Sequence, residues 1–180
     1  MRNLYQIWPS YFDVDAIRRV LAGVDAVEAE RGTIFSRDET LQSVRIARVC
    51  WIDEPWINDR LRSLAREANE RDFHLDLGDH METQVIHYAA EDAGHYGWHH
   101  DVQWGGESGL DRKLSLTIQL SDPTTYRGGD LQLEELHTTA DFRAQGTAVM
   151  FPSVLRHRIT PITAGRRTAL VAWFFGPRWR

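Results

Sequence analysis

Residues 155–175, LRHRITPITAGRRTALVAWFF, contain two segments rich in β-branched and aromatic residues on either side of the turn signal Thr163-Ala164-Gly165. Such segments are typical of short β-strands. The same rhythm, with glycine, proline and aspartate as breaks, extends back to about residue 70. The predicted strands are Phe73–Leu77, Thr83–Tyr88, Tyr96–Val102, Leu114–Leu120, Asp130–Leu136, Thr147–Phe151, Leu155–Ile162 and Arg167–Phe175.

The region before residue 70 has a helical pattern instead. Apolar residues recur at helical spacing after Asp13 and again after Pro55, which predicts two helices. Asp13 and Asp53 are their predicted N-caps, and Asn69 is the predicted end of the second helix. The segment Leu41–Trp51, between the two helices, is predicted to be a strand.

This order of elements predicts a mainly β fold with flanking helices and a jelly-roll core, the cupin-like double-stranded β-helix. We expect one domain over residues 1–180, with helices in about residues 1–70 supporting a core at about residues 71–177. Strands and helices do not alternate along the chain, which argues against a doubly wound α/β fold.

Composition and charge limit the compartment and the partners. The formal net charge of −5 argues against binding driven by nucleic-acid phosphates. The sequence has one cysteine, Cys50, no secretory signal pattern at its start and no apolar run long enough to span a bilayer. We therefore expect a cytoplasmic protein without membrane or nucleic-acid partners, and a homodimer stays open.

The segment from Gly94 to Asp101 carries the first candidate metal ligands. Side chains at positions i and i+2 of a strand point to the same face, so His99 and Asp101 would project together. One imidazole and one carboxylate form two thirds of a facial metal triad, and His157 is the candidate for the third ligand. A lone His-x-Asp is common by chance, and its simplest interpretation is a pair of surface polar residues.

Arg167 is the candidate anion-binding residue. If the turn at 163–165 closes a hairpin, Arg167 would lie near His157 but deeper in the barrel. Ala169, Val171 and Trp173 share its predicted face, which places one charge among apolar residues. A buried guanidinium needs a partner and can bind a carboxylate through two parallel hydrogen bonds. The alternative, a surface arginine after a turn, suits the neighbouring arginine better.

These residues belong to an ordered series of motifs. The series comprises Tyr88, Trp98-His99-His100-Asp101, Tyr126-Arg127-Gly128-Gly129, Phe151-Pro152-Ser153, His157-Arg158-Ile159-Thr160-Pro161-Ile162, Gly165-Arg166-Arg167 and Trp173. Over roughly residues 81–177 the chain resembles the prolyl 4-hydroxylase-like branch of the Fe(II)/2-oxoglutarate oxygenases, including PKHD-type hydroxylases. Agreement of several ordered motifs over one stretch is far more specific than the His-x-Asp pair alone.

The resemblance implies roles for six residue positions in the metal and co-substrate site. His99, Asp101 and His157 would ligate Fe(II), and Arg167 would pair with the 5-carboxylate of 2-oxoglutarate. Tyr88 and Thr117 are the candidate hydroxyl donors to the co-substrate, and Ser115 shares the face of Thr117 and is not separated from it. For Tyr88 the alternative is a core tyrosine bonded to a backbone carbonyl.

Three further residues are candidate substrate contacts. Trp173 stands on the predicted face of Arg167, Gln84 shares a face with Tyr88, and Trp104 lies in the loop after the metal strand. Each has an ordinary alternative: packing for Trp173, a core amide for Gln84, and a solvent-exposed loop position for Trp104.

The resemblance further implies an O2-dependent dioxygenase that hydroxylates an unactivated C–H bond and releases succinate and CO2, with ascorbate as a candidate reductant. The substrate would be a peptidyl residue, a free amino acid or a related small molecule. Retention of Asp101 favours hydroxylation over halogenation. Two alternatives stay open: a cupin-like metalloenzyme that does not use 2-oxoglutarate, and a catalytically silent binding module on the same fold.

Overall fold

The helices precede most of the strands in the computed structural model, which describes residues 4–25, 30–31, 45–102, 104, 108–134 and 141–180. The elements are β1 (Gln6–Trp8), α1 (Val14–Asp25), β2 (Glu30–Arg31), β3 (Arg45–Ile46), β4 (Arg48–Trp51), α2 (Pro55–Ala68), a π-helical turn (Asn69–Phe73), β5 (Met81–Ala89), β6 (His95–His99), β7 (Leu110–Gln119), a 3-10 turn (Pro123–Thr125), β8 (Arg127–Gly128), β9 (Leu131–Leu133), β10 (Ala148–Pro152), β11 (His157–Ile159), β12 (Ile162–Ala164) and β13 (Arg166–Pro177).

The strands form two facing sheets and one small sheet, all with antiparallel pairing. The large sheet has seven strands in the order β1-β10-β7-β13-β5-β4-β2, and the second sheet has four in the order β3-β6-β11-β9. Strands β12 and β8 pair separately. Neighbours in each sheet are far apart in sequence, as a jelly roll requires. The predicted mainly β fold with flanking helices is confirmed.

The two helices cover one face of the large sheet. Alternate residues of β7 and β13 turn to this side and join the main core, together with the apolar faces of both helices. The contributing residues include Ile17, Val20, Ile57, Leu61, Leu64, Leu114, Leu116, Ile118, Leu170, Ala172 and Phe174. The other alternate residues of β7 and β13 face the second sheet. The large sheet thus separates a packed apolar layer from the interior of the barrel.

The helix ends follow local chemistry. Asp13 caps α1 as predicted, since its Oδ1 accepts a hydrogen bond from the Ala16 N–H at 2.8 Å. The prediction that Asp53 caps α2 is wrong. The N-cap is Glu54, whose side chain makes no capping hydrogen bond. Asp53 Oδ1 instead accepts from the Asn58 side chain at 2.7 Å. Asn69 is the C-cap of α2, as predicted.

The predicted strand Phe73–Leu77 is wrong. Phe73 ends the π-helical turn that follows α2, and His74 has a left-handed backbone with φ of +52°. Asn69 explains the change of direction, because its side chain accepts from Leu75 N at 2.8 Å and donates to Leu75 O at 2.9 Å. The apolar residues of this segment pack against the main core from a non-extended chain.

The predicted hairpin at residues 163–165 is also wrong. Strand β12 pairs with β8, whereas β13 pairs with β5 and β7, so the chain leaves the small sheet for the large one at Gly165. The predicted strand Leu155–Ile162 is two strands, β11 and β12, divided at Pro161, which has no N–H to donate to a ladder.

Two other predicted strands are shorter than expected. Within Leu41–Trp51 the described part divides into β3 and β4 at Ala47, and residues 41–44 lie outside the described residues. Within Asp130–Leu136 the strand is β9, and residues 135–136 lie outside the described residues. Strand β1, which pairs with β10, was not predicted. None of the described helices is both long and apolar enough to cross a membrane.

Candidate metal centre and active site

Two histidines lie side by side on neighbouring strands of the second sheet. His157 on β11 is the Cα partner of His99 on β6, and the two ring centroids are 4.1 Å apart. Asp101 lies beside both rings: its Oδ1 is 3.5 Å from His99 Nε2 and its Oδ2 is 3.5 Å from His157 Nε2. One ligand atom from each of the three residues lies within 4.8 Å of the others. The three predicted metal ligands are therefore brought together.

Asp101 reaches this position differently from the prediction. Strand β6 ends at His99, so Asp101 is not a strand residue with a side chain fixed by the pleat. Its backbone N–H donates to Ser153 O at 2.9 Å, and its Oδ2 accepts from Ser115 Oγ at 2.7 Å. The turn after β10 and the strand β7 therefore hold the carboxylate at the centre.

Both imidazoles are oriented by the backbone. His99 Nδ1 lies 2.8 Å from Gly97 O, and His157 Nδ1 lies 3.0 Å from Leu155 O. A carbonyl oxygen can only accept, so each Nδ1 carries the proton and each Nε2 keeps its lone pair for a metal. Tyr96 stacks on the His99 ring with centroids 3.3 Å apart, which fixes one ring plane further.

Burial and charge set the protonation states. Burial lowers the pKa of His157 to about 4, so its imidazole is neutral near pH 7. Burial raises the pKa of Asp101, but the electrostatic interactions with His157 and His99 and the hydrogen bond from Ser115 outweigh this effect and hold the pKa well below its usual range. The centre therefore offers a carboxylate and a neutral imidazole, the ligand forms that a divalent cation requires.

Arg167 lies on β13 opposite Tyr88 and is buried. Its guanidinium carbon is 5.8 Å from the Tyr88 ring centroid, and its side chain is hydrogen bonded to Tyr126. Among the described residues, no carboxylate lies within ion-pairing distance of it. Burial lowers the pKa of Arg167, and the guanidinium still lacks an acidic partner. This side chain fits an anionic ligand.

Tyr126 is hydrogen bonded to Arg167, and Gln119 is hydrogen bonded to Tyr126; neither was assigned a role from the sequence. Gln119 Nε2 donates to the Tyr126 hydroxyl at 2.9 Å, while Gln119 Oε1 is buried without a hydrogen-bond partner among the described residues. Gln119 faces the barrel interior from β7. The two-residue spacing from Thr117 was the available signal, since it places both on one face.

The hydroxyls of Ser115 and Thr117 have different surroundings. The Ser115 hydroxyl contacts Asp101 and the Ser153 hydroxyl, and it is buried. Thr117 is partly exposed, between Val149 and Val171 on the neighbouring strands. Tyr88 is buried, and burial raises the pKa of its phenol despite the nearby charges of Arg45 and Arg167. Both predicted hydroxyl donors thus stay candidates.

The predicted substrate contacts lie in two settings. Trp173 Nε1 and Gln84 Oε1 are buried and have no hydrogen-bond partner among the described residues. The Arg112 guanidinium carbon lies 3.9 Å from the Trp173 ring centroid, and Arg112 donates to Glu82 at 2.6 Å. By contrast, the Trp104 side chain is exposed and donates to His100 Nε2 at 3.3 Å.

Two histidines and one carboxylate inside a jelly roll define the class of non-haem metal proteins with a facial triad, and this donor set suits Fe(II). The chain belongs to the 2OG-Fe(II) oxygenase superfamily, whose family model matches residues 83–175. Within that range lie all three triad residues and Arg167.

Curated relatives match a shorter stretch. A PKHD-type hydroxylase from Hyphomonas neptunium is 40% identical over 81 residues, which cover 43% of this chain and 36% of that protein. A second PKHD-type hydroxylase, from an Azoarcus species, is 40% identical over 91 residues, covering 48% of this chain and 40% of that protein. The matched stretch is thus less than half of each relative.

Solved structures share the fold over nearly the whole chain. A prolyl-4-hydroxylase from Pseudomonas putida has a TM-score of 0.73 at 19% identity, covering 98% of this chain and 94% of that one. A prolyl hydroxylase from Trichoplax adhaerens, in complex with a peptide fragment of the hypoxia inducible factor oxygen degradation domain, has a TM-score of 0.72 at 18% identity, covering 97% and 84%. The shared architecture confirms the jelly-roll core.

Proposed function

We propose that this protein is an Fe(II)- and 2-oxoglutarate-dependent dioxygenase that hydroxylates an unactivated C–H bond and releases succinate and CO2. One observation carries the proposal: the triad of His99, Asp101 and His157 converges in the same barrel that buries Arg167 without an acidic partner. A metal site alone would serve many reactions. A metal site with a separate buried guanidinium suits a co-substrate that both chelates the metal and carries a second carboxylate.

The chain's own residues would bind and orient the reactants. The triad would hold Fe(II) through both Nε2 atoms and the Asp101 carboxylate. Arg167 would bind the distal carboxylate of 2-oxoglutarate, with Thr117 and Tyr88 as hydroxyl donors nearby. When bound, iron with 2-oxoglutarate and O2 supplies the oxidising chemistry, and the protein supplies position and a dry pocket.

The proposed substrate is a peptidyl residue, a free amino acid or a related small molecule. Trp173 and Gln84 are the proposed contacts inside the barrel, because each keeps a buried polar atom without a partner among the described residues. Trp104 is the proposed contact at the surface, where its exposed ring could pack on a substrate. The prolyl hydroxylase solved with a peptide supports a peptide as one of these substrate classes.

Succinate formation tests the reaction. The full chain is incubated with Fe(II), ascorbate, 2-oxoglutarate and pools of free amino acids and peptides, and products are screened for a mass gain of one oxygen atom. His157→Ala is the matched background. We expect succinate above this background, enhanced by one substrate class. Succinate at background level with every pool would contradict the proposal.

Ligand binding separates the two alternatives. A cupin-like enzyme that does not use 2-oxoglutarate would bind metal, and adding 2-oxoglutarate would not change the metal's absorption spectrum. A silent binding module would bind a peptide or small molecule without forming succinate. Arg167 is buried without an acidic partner among the described residues, which favours the dioxygenase over the first alternative. An enzyme that does not bind 2-oxoglutarate would not need this guanidinium.

A further inference from the structure

We infer that Ser115 and Ser153 are positioning residues that orient the Asp101 carboxylate toward the metal centre. This inference rests on the proposed function, because it concerns how the triad residue is presented to Fe(II). Neither serine was assigned this role by its place in the sequence motifs.

The three side chains form one buried chain of contacts. Ser115 Oγ donates to Asp101 Oδ2 at 2.7 Å, and the Ser115 and Ser153 hydroxyls are 2.9 Å apart. Ser115 is 1% exposed and Ser153 is 0% exposed, so water does not compete for these groups. Hydrogen bonds shielded in this way are stronger than exposed ones and polarise one another.

The direction of the chain follows from the chemistry of its end. An ionised carboxylate can only accept, so the single hydroxyl proton of Ser115 is used on Asp101. Ser153 must therefore be the donor in the pair of serines. The order is Ser153 to Ser115 to Asp101, and the Ser153 contribution reaches the carboxylate only through Ser115.

Ser153 also holds the backbone of Asp101. Its carbonyl oxygen accepts from the Asp101 N–H at 2.9 Å, and its own N–H donates to Lys113 O at 2.9 Å. Because β6 ends at His99, no strand pairing fixes residue 101. The turn after β10 thus positions Asp101 in place of strand pairing. It binds the main chain of Asp101 directly and its side chain through Ser115.

The consequence is a carboxylate whose orientation in the metal centre is fixed by the protein. Oδ2 accepts the serine hydroxyl at 2.7 Å and lies 3.5 Å from His157 Nε2, while Oδ1 lies 3.5 Å from His99 Nε2. Both oxygens are therefore held beside the two imidazoles that complete the triad. The serines thus set the orientation in which Asp101 would meet the metal.

The Co(II) affinity of the 180-residue chain tests the inference, with Ser115→Ala, Ser153→Ala and the double variant. We expect Ser115→Ala to weaken Co(II) binding by about 10–100-fold, the usual effect of losing a partner of a metal ligand. Ser153→Ala should weaken it less, and the double variant should match Ser115→Ala because the contacts act in series. A crystal structure of metal-free Ser115→Ala should show the Asp101 carboxylate rotated from its orientation in the wild-type protein.

Thr147→Val is the matched control. Thr147 is also buried, and its hydroxyl has no hydrogen-bond partner among the described residues, so its loss should leave Co(II) affinity unchanged. Melting temperatures of the metal-free variants measure folding separately. If Ser115→Ala does not fold, Ser153→Ala carries the test, and wild-type affinity in that variant would contradict the inference.

The outcomes distinguish this inference from the proposed function. A wild-type protein that does not bind Co(II) would overturn both. Wild-type binding together with Ser115→Ala affinity within about threefold of it would overturn only the role of the serines. Additive losses in the double variant would also overturn the serial arrangement, because each serine would then act on Asp101 independently.

Discussion

At the scale of single residues, Arg167 is energetically costly to bury in this interior. A buried guanidinium without an acid partner is destabilising until an anion binds to it. Arg167→Ala should therefore raise the KM for 2-oxoglutarate by about 10–100-fold, because a hydrogen bond to a charged group contributes about 1.5–3 kcal/mol. Initial rates of succinate formation at varied 2-oxoglutarate would measure this change.

The neighbouring arginine is the control. Arg166 is exposed, and its ion pair with Glu91 at 3.5 Å is also exposed, so Arg166→Ala should leave the KM unchanged. Equal effects of the two substitutions would mean that Arg167 has no specific role in binding the co-substrate.

The two adjacent histidines 99 and 100 offer a second comparison at this scale. His157→Ala and His99→Ala should each abolish Co(II) binding, since a ligand is lost. His100→Ala should bind Co(II) normally, because His100 is exposed, its Nε2 accepts from Trp104, and it is not one of the three clustered ligands. An absorbance titration with Co(II) would follow all three, and retained binding by His157→Ala would rule out the assigned triad.

The sequence predicted the identity of the main site residues. It predicted few of the contacts that position them. The motif spacing selected His99, Asp101 and His157, and the fold brings them together. The roles of Ser115 and Ser153 could not be predicted, because serines are common and their contacts depend on three segments meeting in space. The same holds for Tyr126 beside Arg167: it lies on another segment, and its contact depends on the fold.

At the scale of the elements, Gly165 is the residue at which the chain crosses from β12 in the small sheet to β13 in the large sheet. Its φ is +69°, and a Cβ there would collide with the carbonyl oxygen of Thr125. Gly165→Ala should lower the free energy of unfolding by about 1–3 kcal/mol or more. Denaturant unfolding would measure it.

Gly23 in α1 gives the opposite expectation. A Cβ at this position meets no atom within 4 Å, and alanine is a better helix former than glycine. Gly23→Ala should raise the free energy of unfolding by about 0.5–1 kcal/mol. Loss of stability in both glycine variants would show that the positive φ of Gly165 is not the cause.

Long periodic elements were predicted well and short or bent ones were not. The face of α2 was clear because Ile57, Leu61 and Leu64 repeat at helical spacing. Strand β1 has only three residues, and its partner β10 is about 140 residues away, so no local signal marks it. The segment after α2 was mistaken for a strand because its apolar residues alternate, whereas the Asn69 side chain holds it in a turn.

At the scale of the whole molecule, the large sheet separates the apolar core under the helices from the candidate active site in the barrel. Leu61 is 0% exposed and lies in the helix-packed core. Leu61→Ala should lower the free energy of unfolding by about 2–5 kcal/mol. The KM for 2-oxoglutarate of the folded fraction should stay the same, because Arg167 lies on the other face. A large change in KM would mean that the two faces are coupled. That residues 1–180 form a single domain stays a prediction.

The alternation of side chains along β7 and β13 has a practical consequence for laboratory evolution. Every second codon of these strands specifies a side chain on the barrel side, including Thr117, Val171 and Trp173, while the codons between them specify the apolar layer under the helices. A mutant library confined to the first set, with Ser115 and Arg167 left unchanged, would vary the barrel interior and spare the scaffold. New substrate preferences could then be selected with little loss of soluble expression.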